Sequence, residues 1–415
     1  MRRSTVARMA EGLTDMTHLK SVSSAPRGHN VRMCAKTLFD ETMPGITFDD
    51  EGVCNLAREA EWRLENEVFR GEDGRQRLAA WVDRIKAAGK GKDYDCIIGV
   101  SGGVDSSLVA ARVVELGLRP LAMHLDNGWN IDLAVSNIQN LVRGLDIDLM
   151  THVVDWREIR DLQRAYLKAS VVDLECVSDH AINTLLYRAA YKKGIKYVIH
   201  GGNVATETRM PKAWGYDKRD GKNVLAIHRA YGEVPLKTYP YMRPHQFFWY
   251  LFVSGVKVLP ILNYLDFNKA EALRELQQRF DYRPYARKHG ENRFTRFYQE
   301  IYLPQKFGID KRIGHLSSLI MAGQMTREDA LLELEKPLYE PDEEREELEF
   351  VAKKLGFTVQ ELRDLIAQPP RAHTDFANAS HLFDHDRSIV QIARRIAKRE
   401  FKISDLKMIR KRYAK

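Results

Sequence analysis

The chain has 415 residues, with 65 Lys or Arg against 57 Asp or Glu and four cysteines. That length can bury a large core, and four cysteines are too few for a disulfide framework. The most apolar stretch, Phe247 to Val256, falls well short of the roughly twenty residues a membrane span needs, so it reads as core and no membrane span is expected.

The opening MRRSTVARMAEGLTDM is basic without an apolar run, so it does not read as a secretory signal, and the cytoplasm is the default location. Residues 1–30 are polar, Ser-rich and without periodicity, and read as disordered. Residues 31–75 read as a small separate unit. A helix is predicted over Arg75 to Ala88, and the loop AAGKGKDYD leads into a β-branched run at Cys96 to Val100. That run empties into Ser101-Gly102-Gly103-Val104-Asp105-Ser106-Ser107, followed by Leu108, Val109, Ala111, Val113, Val114 and Leu116 at helical spacing. A glycine loop therefore sits at a helix N-terminus, where unpaired amides and the helix dipole favour an anion. Gly102 and Gly103 let the backbone approach that anion, and Ser101, Ser106 and Ser107 add hydroxyls. Asp105 reads as meeting phosphate through a magnesium ion. No G-x-x-x-x-G-K-[ST] occurs, and no G-x-G-x-x-G stands at this turn.

Beyond the loop the pattern alternates: strand Pro120 to Leu125, helix Ala134 to Gly144, strand Asp148 to Val154, helix Asp179 to Lys193, strand Lys196 to His200. Strands separated by helices predict an α/β fold with a doubly wound parallel sheet, ligands lying outside the strand carboxyl ends. Polar clusters fall at those ends. Leu125, Asp126 and Asn127 close the second strand, where a nucleotide base could lie; a plain Asn127-Gly128 turn is the alternative. Gly201, Gly202 and Asn203 close the later strand, with Glu207 just beyond. Between them Ser178 and Asp179 read equally as a helix N-cap or as substrate contacts.

Residues 241–376 read as a helical substrate or partner region and 377–415 as a basic extension. Asp386 to Lys415 carries eleven Lys or Arg against three Asp or Glu, the whole of the net +8. Ile389, Ile392 and Ile396 make it an amphipathic basic helix, for which a docked terminal helix, an acidic partner, anionic lipid and RNA are all open.

SGGVDSS resembles the pyrophosphate loop of the ATP pyrophosphatase superfamily, whose members cleave ATP between the α and β phosphates and adenylate an acceptor oxygen; the sheet is then of the adenine nucleotide alpha hydrolase-like type. The resemblance narrows with PGITFDDEGVC, HLDNGWN, SDHAI, HGGNVATET, YLFVSGVKVLPILNYLDFNKAEA, RKHGENRFTRFYQEIYLPQKFGIDKRIGHLSSLIMAGQMTREDAL and PPRAHTDF. Over residues 31–376 the chain resembles the N-acetyl sugar amidotransferases of bacterial surface-polysaccharide and O-antigen biosynthesis. The resemblance implies that ATP with magnesium activates the acetamido carbonyl of a nucleotide-linked sugar, such as a UDP-linked one, for conversion by ammonia to an acetamidino group. The chemistry needs a cation where pyrophosphate departs, and Lys237 in EVPLKTYPYM is the candidate, an ordinary surface lysine being the alternative. Glu207 could orient nucleotide, metal or ammonia, and Asp179 or His180 could contact the acceptor or move its proton. Arg287, Lys288, Asn292 and Arg293 could hold a sugar-nucleotide diphosphate, against a salt-bridged helix as the plainer reading.

Two departures stand out. The resemblance implies two Cys-x-x-Cys knuckles, but the chain has Cys34-Ala35-Lys36-Thr37 and Cys54-Asn55-Leu56-Ala57, so no structural zinc is expected and packing around Ile46, Phe48 and Val53 must replace it. No cysteine lies between glycines and residue 2 is Arg2, so neither kind of glutaminase nucleophile is present. Ammonia is then expected from a glutaminase partner with a cyclase-like subunit. The rivals are amidation of a sugar uronate, a tRNA-modifying pyrophosphatase, for which a paired-cysteine route lacks its residues, and a non-catalytic scaffold. Nucleic acid is not the expected partner, and a homo-oligomer is possible.

Overall fold

In the computed structural model the described residues are 31–207, 209–285 and 290–383. The N-terminal segment 1–30, the basic stretch 386–415, and Arg287 and Lys288 lie outside them.

Five parallel strands form one sheet: β1 (Cys96–Gly99), β2 (Pro120–Asp126), β3 (Asp148–Val153), β4 (Tyr197–His200) and β5 (Lys257–Pro260), in the order β3-β2-β1-β4-β5. This is the doubly wound α/β sheet expected from the sequence. Along β1 the pleat sends Cys96 and Ile98 to one face and Ile97 to the other. The first face packs on α2 (Gly71–Gly89), α3 (Val104–Glu115) and α4 (Asp132–Leu145) through Leu78, Ile85, Val109 and Leu141. The second packs on Leu186, Tyr187 and Ala190 of α6 (Cys176–Lys192). Each fully buried aliphatic side chain in these layers contributes roughly 1.5–3 kcal/mol. The chain runs from β1 outward to β3 and returns to β4 on the other side of β1, so the order reverses beside the exit of β1. An open α/β sheet binds its ligands in the crevice at that reversal.

Several elements depart from expectation. The helix expected from Arg75 begins at Gly71, where Glu72 and Asp73 complement the dipole. Helix α5 (Trp156–Ala169) and strand β5 were not anticipated. The run from Phe247 is only partly core: Phe247 is buried, but a π turn over Trp249–Val253 rotates Trp249, Phe252 and Val253 outward, Val253 to 69% exposure. Ala379 and Phe383 are buried with Phe247, so the first residues after 376 belong to the packed body.

Residues 31–75 are packed into the main body. Leu38 N–H donates to Ser317 Oγ at 3.0 Å, and Arg327 Nη1 donates to the carbonyls of Cys34 and Ala35 at 2.8 and 2.9 Å. Leu38, Phe39 and Val53 share one core with the C-terminal helices, and Ile46 and Phe48 pack at its margin. The four knuckle positions converge and are buried: Cys54 N–H donates to Cys34 Sγ at 3.2 Å, Ala57 N–H to Cys54 Sγ at 3.4 Å, and Thr37 Oγ1 lies 3.7 Å from Cys54 Sγ. Cys54 thereby caps α1 (Asn55–Glu67). Cys34 and Cys54 thus form a pair inside this core, away from the glycine loop. The thiol of Cys54 lowers Cys34 and is itself raised by it. Zinc bonded at about 2.3 Å to four sulfurs sets them roughly 3.8 Å apart. Thr37→Cys combined with Ala57→Cys is accordingly expected to bind one zinc, measured by metal release to a chromogenic chelator. Purification without zinc, in medium containing it, would show that the four positions do not close into a site.

Candidate functional site

The loop after β1 is tied to itself. Ser101 N–H donates to Ser106 Oγ at 3.2 Å, Gly103 N–H to Ser101 Oγ at 3.3 Å, and Ser106 Oγ to the Gly103 carbonyl at 3.1 Å. Gly102 has φ +86°, and a Cβ there would stand 3.0 Å from the Ala134 carbonyl oxygen, so this position requires glycine. Its own carbonyl accepts hydroxyls from Tyr282 and Tyr285, both at 2.9 Å. Burial raises both phenols, Tyr285 to about 12, so they remain protonated donors at ordinary pH. Helix α3 starts at Val104 with Gly103 as N-cap and no side-chain cap, which leaves its first-turn amides to an incoming anion. Ser107 is buried and its hydroxyl has no partner within the protein.

The exit of β4 lies against this turn. A Cβ on Gly201 would come within 3.0 Å of the carbonyl carbon and 3.1 Å of the carbonyl oxygen of Asp105. Gly202 N–H donates to His200 Nδ1 at 3.0 Å, and Glu207 follows one turn later with Oε2 3.5 Å from the Gly202 Cβ position. The carboxylate of Glu291, from the C-terminal half, stands 3.4 Å from the Gly103 Cβ position. Asp105, Glu207 and Glu291 thus bring carboxylate oxygens to the loop, the donor type a hard divalent cation bridging to phosphates prefers. Among the described residues no three metal-ligating side chains converge closely enough to hold an ion by themselves.

At the exit of β2, His124 contacts the Val100 carbonyl through Nδ1 at 2.8 Å and Asn130 Nδ2 through Nε2 at 3.0 Å, which locks the ends of β1 and β2 together. Leu125 is buried, and Asp126 Oδ1 accepts Gly128 N–H at 2.9 Å. Asn127 is a hub: Nδ2 donates to Ser178 Oγ at 3.0 Å, while Oδ1 accepts Trp129 N–H and Asn292 Nδ2, each at 3.2 Å. Three sequence motifs that are far apart in the chain therefore meet at one edge of the sheet.

The same geometry corrects several expected roles. Asn127 holds three protein partners, and Asn203 is buried with its amide on the Gly201 carbonyl (3.1 Å) and Thr206 Oγ1 (2.9 Å). Both side chains hold the turns in which they sit. His180 is wholly buried, Nδ1 on the Lys218 carbonyl at 2.9 Å and Nε2 accepting Met242 N–H at 3.0 Å. Burial lowers it to about 4, so it is a neutral positioning group, not one that meets an acceptor. Arg293 pairs with buried Glu347 at 2.8 Å and lies 3.5 Å over the Phe350 ring, so its guanidinium is used within the C-terminal helices. Asn292 caps the helix beginning at Arg293, accepting Thr295 N–H at 3.1 Å. Lys237 is exposed on a stretch held by buried Glu158, which accepts Thr238 and Tyr239 N–H at 3.0 and 2.8 Å.

Sequence reasoning missed the lysine that is set into the polar edge. Lys218 is ion-paired with buried Asp173 and lies 3.4 Å from Asp179 Oδ2, in the first turn of α6 beside Ser178. Burial, reinforced by Glu175 and Asp173 and opposed by Lys218, lifts the Asp179 carboxyl to about 6. Nothing in AWGYDKRDG sets Lys218 apart from its many neighbouring charges.

Comparison with known proteins gives one family match and several similar chains. Residues 291–393 match the family of the C-terminal domain of LPS biosynthesis protein WbpG-like. The match runs past residue 376, the limit of the sequence resemblance. A relative, the uncharacterized protein MJ1599 of Methanocaldococcus jannaschii, is 24% identical over 266 residues, 62% of this chain and 78% of that protein. Among solved structures, NH3-dependent NAD synthetase from Campylobacter jejuni is similar at TM-score 0.25 and 22% identity, covering 31% of this chain and 57% of that one. NMN synthetase from Francisella tularensis is similar at TM-score 0.34 and 15% identity, covering 67% and 91%. Among the described residues no helix is long and apolar enough to cross a membrane.

Proposed function

We propose that this chain is an ATP-dependent, AMP- and pyrophosphate-forming amidotransferase acting on the acetamido group of a nucleotide-linked sugar in lipopolysaccharide biosynthesis. The observation that carries it is the self-tied glycine loop at an uncapped helix N-terminus, with Gly201 pressed against it where the strand order reverses. The match of residues 291–393 to a lipopolysaccharide-biosynthesis domain supports the sugar context.

An amide carbonyl is a poor electrophile for ammonia. In this reading the acetamido oxygen attacks the α-phosphorus of ATP, an O–P bond forms, and pyrophosphate leaves with the electron pair of the broken bond. Ammonia then adds to the imidate carbon, the C–O bond breaks, AMP leaves, and nitrogen loses a proton to give the amidine. The first-turn amides of α3 and the hydroxyls of Ser101 and Ser106 face the departing pyrophosphate, where charge develops. Asp105 and Glu207 would hold magnesium, which supplies charge neutralisation on the phosphates. Tyr282 and Tyr285 keep the loop in its left-handed turn through the Gly102 carbonyl. Ammonia from a glutaminase partner fits the burial of all four thiols, which keeps each of them from reaching a glutamine side chain.

The test is pyrophosphate release from ATP and magnesium with ammonium chloride, across UDP-linked diacetamido sugars and sugar uronates. Acceptor-dependent release, reduced at least ~100-fold by Asp105→Ala, is the expected result. Release only with uronates would replace amidine formation by carboxamide formation. ATP binding without release for any acceptor would remove the amidotransfer reading.

A further inference from the structure

At the start of α6, joined to the exit of β2 by the Asn127–Ser178 hydrogen bond, lies a second group of charges that the adenylation step does not use. Asp173 is almost completely buried and already engaged: Oδ2 accepts Tyr216 N–H at 2.8 Å, and Oδ1 accepts Glu175 N–H at 3.2 Å and the Lys218 ammonium. That carboxylate alone neutralises Lys218. Asp179 is a second carboxylate on the same lysine, 3.4 Å away and 41% exposed. Glu175 pairs with Lys311 at 3.4 Å and accepts Gln299 Nε2 at 3.3 Å. Three carboxylates thus face two ammonium groups, leaving one uncompensated negative charge at the mouth of the cluster. Tyr298, fully buried with Lys311 4.7 Å over its ring, keeps a hydroxyl that no protein group partners. Ser178, hydrogen-bonded to Asn127, joins this cluster to the exit of β2 and hence to the nucleotide crevice.

Resting on the amidotransferase reading, we propose that Asp179, Lys218 and Glu175 form the acceptor subsite and take the uncharged acetamido-sugar ring, ring first, with the diphosphate outside. Carboxylates accept from sugar hydroxyls and the acetamido N–H, and an ammonium donates to a carbonyl oxygen, so this mixed set matches a polyhydroxylated amide. The surplus negative charge repels a diphosphate, which orients the ligand. The same carboxylate is placed to receive the proton that nitrogen loses after ammonia adds. Asp179 faces Asp173, Glu175 and Lys218, and these set the pH at which it can do so.

The test compares wild type with Asp179→Asn and with the paired variant Asp173→Asn/Lys218→Met, which removes both charges of the buried pair together so that neither is stranded. Binding of a UDP-linked diacetamido sugar and of ATP is measured separately by calorimetry, alongside pyrophosphate release and thermal midpoint. Both variants are expected to bind the sugar nucleotide at least ~10-fold more weakly, to bind ATP within about 2-fold of wild type, and Asp179→Asn to lose an acid limb near pH 6 in kcat/KM. Unchanged sugar affinity in folded variants would overturn the subsite, as would failure of wild type to bind any sugar nucleotide. Wild type that binds sugar through these residues but releases no pyrophosphate would keep the subsite and discard the adenylation chemistry.

Discussion

Gly201→Val is expected to lower acceptor-dependent pyrophosphate release at least ~100-fold while leaving the far-ultraviolet circular dichroism unchanged. The position a Cβ would take is 3.0–3.2 Å from the carbonyl carbon, carbonyl oxygen and Cβ of Asp105. Two of those atoms are main chain, so no rotamer change relieves the contact. Either the exit of β4 or the first turn of α3 must shift, and displacement on the order of 1 Å between reacting groups costs about two orders of magnitude. Gly99→Ala is the control, because its Cβ would meet only the Leu186 methyls at an ordinary 3.7 and 4.0 Å. Full turnover in Gly201→Val would mean that the close approach of β4 to the loop has no catalytic role.

Asp173→Ala is expected to destabilise the fold by about 3–5 kcal/mol, the range for stripping one partner from a buried ion pair. It leaves the Lys218 ammonium only the partly exposed Asp179 carboxylate at 3.4 Å and leaves the Tyr216 and Glu175 amides without their acceptor. Removing the exposed partner in Glu233→Ala, which breaks the pair with Lys168, should cost no more than about 1 kcal/mol. Urea midpoints measure both. The pH dependence separates the two acids of the cluster. Lys218 holds Asp173 below its ordinary value against the opposing effect of burial, so its contribution is present above roughly pH 4 and is lost as pH falls through its depressed value. Asp179 is raised, but with its side chain 41% exposed its carboxylate weighs only weakly against the fold as pH rises above about 4, a shallow slope that Asp179→Asn should remove. Equal losses in Asp173→Ala and Glu233→Ala would show that Asp173 is not an obligatory counter-charge.

The parts of the molecule legible in the sequence are those whose cause is local. β1, the glycine loop and α3 follow from a β-branched run, two glycines and apolar residues at helical spacing, all within about twenty residues. The limits of β2 and β4 were likewise marked by polar residues following apolar ones. Helix α5 was hidden because Glu158, Asp161 and Gln163, polar in sequence, are buried in the fold. Glu158 and Asp161 are there because they accept backbone amides from residues 233–239, more than seventy positions away. Strand β5 has four residues with two exposed, too short and too wet for a period-two signal.

By itself, then, the sequence determined the sheet class and the glycine turn with its serines, glycines and aspartate, because backbone conformation at a glycine turn is encoded by its own residues. Only the tertiary structure decided which polar side chains are consumed internally and which remain for a ligand. Asn127 met Asn292 across 165 positions and Lys218 met Asp173 across 45, and those meetings turned the first into scaffold and drew the second into a half-open charged cluster. Charge pairing and burial depend on what the fold brings near, and no local pattern in the chain records it.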